Sequence, residues 1–206
     1  MSKFEGYAFF AMLDRMQYIQ RWSLMRNSRT ENIKEHSFDV AVIAHALAIL
    51  HNKHEGALKI DPEKVQSYAI YHDCTEIITG DLPTPIKYKN KDLTKAFHNV
   101  EDEAAEDLVE LLPDCMKETY KELLCPAFEG EEGILTKRLV KAADRISAYI
   151  KCMREQSSGS REFDSAMKTI KSSIDKIDLP EVREFMEMFI PAFGMTLDQL
   201  SGEDTE

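Results

Sequence analysis

The chain has 206 residues, 43% of them hydrophobic and 31% charged, which fits one globular domain large enough to bury its own core. Its formal net charge of −11 excludes a general nucleic-acid-polymer or anionic-membrane surface, since both need a basic face. No run of about 18 apolar residues occurs, and Asp14 and Arg15 cut the apolar start too short for a signal peptide. With Cys74, Cys115, Cys125 and Cys152 in no paired spacing, a cytoplasmic protein without a membrane partner is expected.

Apolar spacing is helical nearly throughout. Phe9, Leu13, Met16, Ile19 and Trp22 recur three to four apart and predict a first helix. Residues 23–34 are polar and basic and read as a loop. A second helix is expected over 35–52, with Val40, Ile43, Leu47 and Leu50 as its core stripe. Asp61-Pro62-Glu63 supplies an N-cap and a first-turn proline. It opens a third helix that is expected to carry Val65, Ala69, His72, Asp73 and Glu76. Gly80-Asp81-Leu82-Pro83-Thr84-Pro85 breaks that helix. Further helices are expected over 91–112, 116–128 and 134–156, with an acidic loop at 129–133 and a turn at 157–160. A last helical pair fills 162–189, interrupted at Pro180. Residues 201–206 form an acidic tail expected to fray, leaving 1–200 as a single all-α helical bundle.

His72 and Asp73 stand side by side. An unpaired carboxylate is costly to bury, and a divalent metal is a partner that satisfies imidazole and carboxylate together. Glu76 follows at i+4 from His72 and i+3 from Asp73, one turn further along. His36 opens the second helix. Asp144 borders the apolar face of the helix over 134–156, where an acid is rarely left without a partner. Each has a plainer reading alone: a solvated helix face for the dyad, a water-facing residue for His36, an ion pair with Arg145 or Lys141 for Asp144. Together His36, His72, Asp73 and Asp144 offer two nitrogens and two carboxylates, enough for one ion. Mn, Co, Fe, Ni and Zn all accept such a set. His45 lies half-way round its helix from His36, and His51 about 22 Å along it. His54 and His98 sit in polar surroundings and are expected to be solvated.

His36…His72-Asp73…Asp144 resembles the H…HD…D signature of the HD-domain metal-dependent phosphohydrolases. Arg21-Trp22-Ser23-Leu24-Met25-Arg26-Asn27, Arg29-Thr30-Glu31-Asn32, Glu35-His36-Ser37 and Thr79-Gly80-Asp81-Leu82-Pro83-Thr84-Pro85-Ile86-Lys87-Tyr88 are similar to blocks of the YfbR-type 5′-deoxynucleotidases. Ala143-Asp144, Ala148-Tyr149, Lys151-Cys152 and the late Phe185-Met186-Glu187, Phe189 and Pro191 extend the likeness over almost the whole chain. The resemblance implies a helical HD-domain fold, a homodimer, and hydrolysis of 2′-deoxyribonucleoside 5′-monophosphates to deoxynucleoside and phosphate. It implies His36, His72, Asp73 and Asp144 as ligands of one divalent metal ion and Glu76 as the catalytic carboxylate. Arg21, Trp22, Asp81, Leu82, Pro83 and Thr84 would line the substrate site, with His36, Asp73 and Asp144 also facing the substrate.

These residue types suit that chemistry. Phosphomonoester hydrolysis needs a barrier lowered by some 20 kcal/mol or more. A metal can hold a phosphate oxygen, acidify the attacking water and neutralise charge, and Glu76 can act as general base. Arg21 can clamp phosphate oxygens as a planar fork and so assist catalysis. Trp22, the only tryptophan, reads either as a core anchor or as a rigid wall against a 2′-hydroxyl. Asp81 reads either as a turn residue or as the acceptor for a sugar 3′-hydroxyl. A tri- or cyclic nucleotide is the alternative substrate, and a non-catalytic nucleotide or metal sensor the alternative of another class.

Overall fold

The N-terminal helix α1, Phe9–Asp14, buries Phe9 and passes into a 3₁₀ turn at Arg15–Tyr18. The computed structural model describes residues 6–87 and 90–202, with only the backbone of Thr84 and Pro85. Tyr88, the side chain of Thr84 and residues 203–206 of the acidic tail lie outside the described residues. The helical spacing that runs on to Trp22 is not realised as helix. Ile19 leaves the turn in extended conformation, its carbonyl accepts from the Ile33 amide at 3.0 Å, and the Arg21 amide donates to the Glu31 carbonyl at 2.8 Å. Backbone pairing with 31–33 takes the Arg21 amide and the Ile19 carbonyl that a continued helix would have used. Among the described residues this isolated Gln20–Asn32 bridge is the one β feature.

Helix α2, Ile33–Lys53, begins two residues earlier than expected, because the Asn32 side chain accepts from the Lys34 and Glu35 amides, both at 3.0 Å. Asp61 caps α3, Pro62–Tyr71, in the same way. That helix stops short of the predicted span. His72 is its C-cap, and residues 72–75 form tight turns, with Cys74 N bonded to Tyr71 O and Glu76 N to Asp73 O, each at 3.1 Å. The short α4, Glu76–Thr79, ends at Gly80, whose φ of +73° favours glycine. Then come α5, Thr84–Lys87, α6, Lys91–Glu110, and α7, Asp114–Leu124.

The long α8, Gly130–Ser157, absorbs most of the expected acidic loop. Glu131 and Glu132 fall in its first turn, where the helix dipole favours negative charge. It is followed by α9, Asp164–Asp175, α10, Pro180–Met188, a 3₁₀ turn at Ile190–Gly194, and α11, Leu197–Ser201.

The main core packs α2, α3, α8 and α10 through Val40, Leu47, Ala69, Leu139, Ile146 and Phe185. A second core gathers Phe9, Met16, Ile33, Cys74, Leu108 and Leu112. His36, one turn after Ile33, and Asp73, beside Cys74, stand where the two cores meet. Among the described residues no helix is long and apolar enough to cross a membrane.

Candidate active site

The start of α2, the turn after α3 and the middle of α8 bring His36, His72, Asp73 and Asp144 together. His36 is fully buried; its Nε2 lies 3.1 Å from Asp144 Oδ1 and 3.6 Å from Asp73 Oδ2. His72 Nε2 lies 3.2 Å from Asp73 Oδ2. Asp144 does not pair with Arg145, which instead donates to the Ser173 carbonyl. The second ring nitrogens are held from behind: His72 Nδ1 donates to the Ala69 carbonyl at 2.7 Å, and His36 Nδ1 meets Ser147 Oγ at 3.1 Å. These contacts turn both Nε2 atoms toward the carboxylates, as metal-ligating imidazoles require. His72 Nε2 is buried and, despite the 3.2 Å approach of Asp73 Oδ2, has no well-aligned hydrogen-bond partner, so the donor set fits a cation at its centre.

The electrostatics point the same way. Burial disfavours a charged His72, yet Asp73 and Asp144 outweigh it and push the imidazole up to about 9. Burial and then Arg21 hold His36 below its ordinary value. Burial opposes a charged Asp73, but His72, His36 and Arg21 keep it well below the usual carboxylate range. Asp144 is lowered against its own burial by His36. The cluster is thus poised to hold positive charge.

Glu76 is buried at 8% exposure, and its Oε2 has no hydrogen-bond partner. Burial, then the nearby Asp73 and Asp81 carboxylates, push it up to about 9. The expected helical adjacency of Glu76 to the dyad is therefore realised through a turn: three residues per turn bring i+3 positions into line. Asp81 is raised by burial and, with the opposing field of Arg21, sits with the Trp22 backbone amide against its carboxylate. Leu82 and Pro83 follow it, both half-buried.

Arg21 lies against the constellation, with Nη1 3.3 Å from Asp73 Oδ2 and Nε 3.0 Å from Glu31 Oε1. The same Glu31 oxygen accepts from Trp22 Nε1 at 3.2 Å. Trp22 holds a φ of +58° and packs edge-on against Phe163, with ring centroids 5.4 Å apart. A left-handed tryptophan is costly backbone, tolerated where the surroundings over-determine it. Glu31, buried at 6% exposure, was not singled out from the sequence. Its only signal was its place in the Arg-Thr-Glu-Asn block.

A second missed pair secures this loop. Lys151 and Glu155 of α8, 3% and 1% exposed, form an ion pair of 2.5 Å. Lys151 Nζ donates to the Arg29 carbonyl, and Glu155 accepts from the Ser28 amide at 2.8 Å. Burial alone would raise Glu155, but Lys151 and the Ser28 and Arg29 amides bring it to about 2. Glu155→Gln would strand a buried ammonium, so a loss of about 3–5 kcal/mol is expected, read as a lower urea midpoint. A depressed acid stabilises above its unfolded value, so in the wild type this contribution should fade as pH falls from about 4.5 to about 2.

The 5′-deoxynucleotidase YfbR-like family matches residues 8–193. A 5′-deoxynucleotidase of Yersinia pseudotuberculosis is 42% identical over 193 residues, covering 94% of this chain and 96% of its own. A 5′-deoxynucleotidase of Shewanella oneidensis is 41% identical over 192 residues, covering 93% and 96%. The crystal structure of an HD-domain phosphohydrolase from Listeria innocua superimposes with a TM-score of 0.76 at 20% identity over 95% of both chains, a likeness of fold. The chain belongs to the YfbR-like 5′-deoxynucleotidase family and has the helical HD-domain fold.

Proposed function

We propose that this protein hydrolyses 2′-deoxyribonucleoside 5′-monophosphates to deoxynucleoside and phosphate. The observation that carries the reading is the convergence of two imidazole Nε2 atoms and two carboxylates beside Arg21, with Glu76 buried next to them. The activity named for relatives at 41% and 42% identity supports it. His36, His72, Asp73 and Asp144 would hold one divalent ion. When bound, that ion supplies positive charge that neutralises phosphate, acidifies water and lets Glu76 ionise at neutral pH.

The chain's own residues do the rest. Glu31 fixes Arg21 through Nε, so the guanidinium meets a phosphate already oriented. Glu76, ionised, takes the proton of the attacking water. Among the described residues Arg21 is the basic side chain paired with the constellation; Arg26 pairs with Glu162 and Arg29 with Glu35, while Lys87 pairs with Glu101 and its charge also reaches Glu76. That distribution favours one phosphate over three. Asp81, whose carboxylate meets the Trp22 backbone amide, would accept from the sugar 3′-hydroxyl, and Leu82, Pro83 and Thr84 would line the substrate site beyond it. The sequence carries no evident base-reading motif, and several bases should serve.

Trp22 would exclude a ribose. Its indole is held at Nε1 by Glu31 and by the edge-on contact with Phe163, so it cannot retreat from an added oxygen. Trp22→Ala is expected to bring the deoxy/ribo ratio of kcat/KM toward unity, mainly by a gain on the ribonucleotide. An unchanged ratio with both activities reduced would make Trp22 a support of the fold alone.

The same reading takes the chain as a cytoplasmic homodimer. The outer face of α2 exposes Phe38, Val42 and Ile49 at 69%, 49% and 39%, an apolar stripe suited to a second copy. All four cysteines are free thiols, in keeping with a reducing compartment.

A further inference from the structure

At the far end of α2, His51 and its C-cap residue His54 face Glu181 in the first turn of α10. This corrects the expectation that His54 is solvated: its side chain is 28% exposed, and its Nε2 meets Glu184 Oε1 at 2.8 Å. His51 Nε2 meets the Leu58 carbonyl at 3.0 Å. A carbonyl and a carboxylate only accept, so both Nε2 atoms are donors, and each neutral ring carries its lone pair on Nδ1.

Those lone pairs point at another acceptor. His51 Nδ1 lies 3.1 Å from Glu181 Oε1, and His54 Nδ1 lies 4.0 Å from Glu181 Oε2. Glu181 is wholly buried, and its Oε2 has no hydrogen-bond partner. Acceptors this close repel unless a cation lies among them. A proton on His51 would satisfy one contact and leave Glu181 Oε2 opposite His54 Nδ1 unfilled. One divalent ion satisfies all three groups.

We propose that His51, His54 and Glu181 form a second metal site, separate from the catalytic constellation, that takes a divalent transition ion of the zinc type. One ligand atom from each residue lies within 4.8 Å of the others. Tetrahedral bonds of about 2.0–2.1 Å would set ligand atoms about 3.3 Å apart, between the His51 and His54 distances to Glu181. The supports behind the ligands are those a metal site needs: the Leu58 carbonyl and the Glu184 carboxylate fix each ring's tautomer and aim. Two imidazoles and one carboxylate suit Zn, Co or Ni rather than Mg or Ca. The half-exposed edge of His54 leaves an entry path. His51 is fifteen residues beyond His36, about 22 Å along the helix, so the two sites cannot share an ion. The second ion would pin the end of α2 and the Leu58 loop to the start of α10. Its role is structural, holding α2 at one end while its other end presents His36.

Zinc content separates the two sites. Chelator-stripped protein is dialysed against Zn²⁺, and bound zinc per chain is measured by elemental analysis. Wild type is expected to hold two, and His54→Gln one, with its nucleotidase turnover and circular dichroism unchanged. His72→Ala, which leaves the distal cluster intact, is also expected to hold one. A single zinc in wild type, equal zinc in wild type and His54→Gln, or none in His72→Ala would overturn the proposal. Loss of zinc from His72→Ala alone would count against the distal site and leave the catalytic reading standing.

Discussion

Glu76→Ala is expected to lower kcat by at least about 100-fold, the scale of a lost general base and about 2.7 kcal/mol of barrier. Metal content and binding of a deoxynucleoside monophosphate should stay near wild type, because Glu76 stands beside the ligand set without belonging to it. Its burial, its unpartnered Oε2 and its raised pKa of about 9 describe a carboxylate whose charge state answers to positive charge in the site. That coupling ties base strength to occupancy by the ion. Single-turnover rates with metal analysis check it. Near wild-type turnover would move the base elsewhere, with Asp81, raised by burial in the same field, the first residue to test.

His72→Ala and Asp73→Ala are each expected to lose the catalytic ion and activity together. His72 Nε2 has no other hydrogen-bond partner, and no other described histidine approaches the cluster. His45 lies round the helix, His51 and His54 engage Glu181, and His98 pairs with Glu101. Losing one of four ligands leaves three donors, and Asp73→Ala also frees the Arg21 Nη1 held at 3.3 Å. Activity should fall to background and zinc content should fall by one equivalent. Full zinc content in both variants would contradict the ligand assignment. The pH dependence has a definite sign. His72 is pushed up to about 9, so it must shed a proton to ligate. Catalytic-site affinity should therefore rise about tenfold per pH unit up to that value, with proton release on metal uptake.

The parts of this molecule legible in the sequence were those carried by local rules. Asp61 caps its helix as its chemistry dictates, and the stripe Val40, Ile43, Leu47 is buried; the Asn32 cap lay inside the segment read as loop. The four proposed ligands converge because α2, the turn after α3 and α8 are packed together by the shared core. What escaped depends on distant partners. The period through Ile19 and Trp22 continues, but the chain pairs with 31–33 instead, and no window of side chains reports a backbone competitor. Tight turns at 72–75 have the same composition as helix. Gly130 and Gly133 disguised the first turn of α8 as loop; Gly133 is needed there, since a Cβ would meet the Phe128 backbone at 2.5 Å. Glu31 and Glu181 act through partners that only the fold brings close, Glu181 from 130 positions away.

The central claim is a reaction, and the most direct test is phosphate release from purified protein. Matched deoxy- and ribonucleoside 5′-monophosphates of several bases, with tri- and cyclic nucleotides alongside, are assayed with Mn²⁺, Co²⁺, Ni²⁺, Zn²⁺ and a chelator. The expected result is metal-dependent release from the deoxynucleoside 5′-monophosphates, little from the ribose counterparts, and none with chelator. Equal release from both sugars, release only from tri- or cyclic nucleotides, or no release with any metal would contradict it.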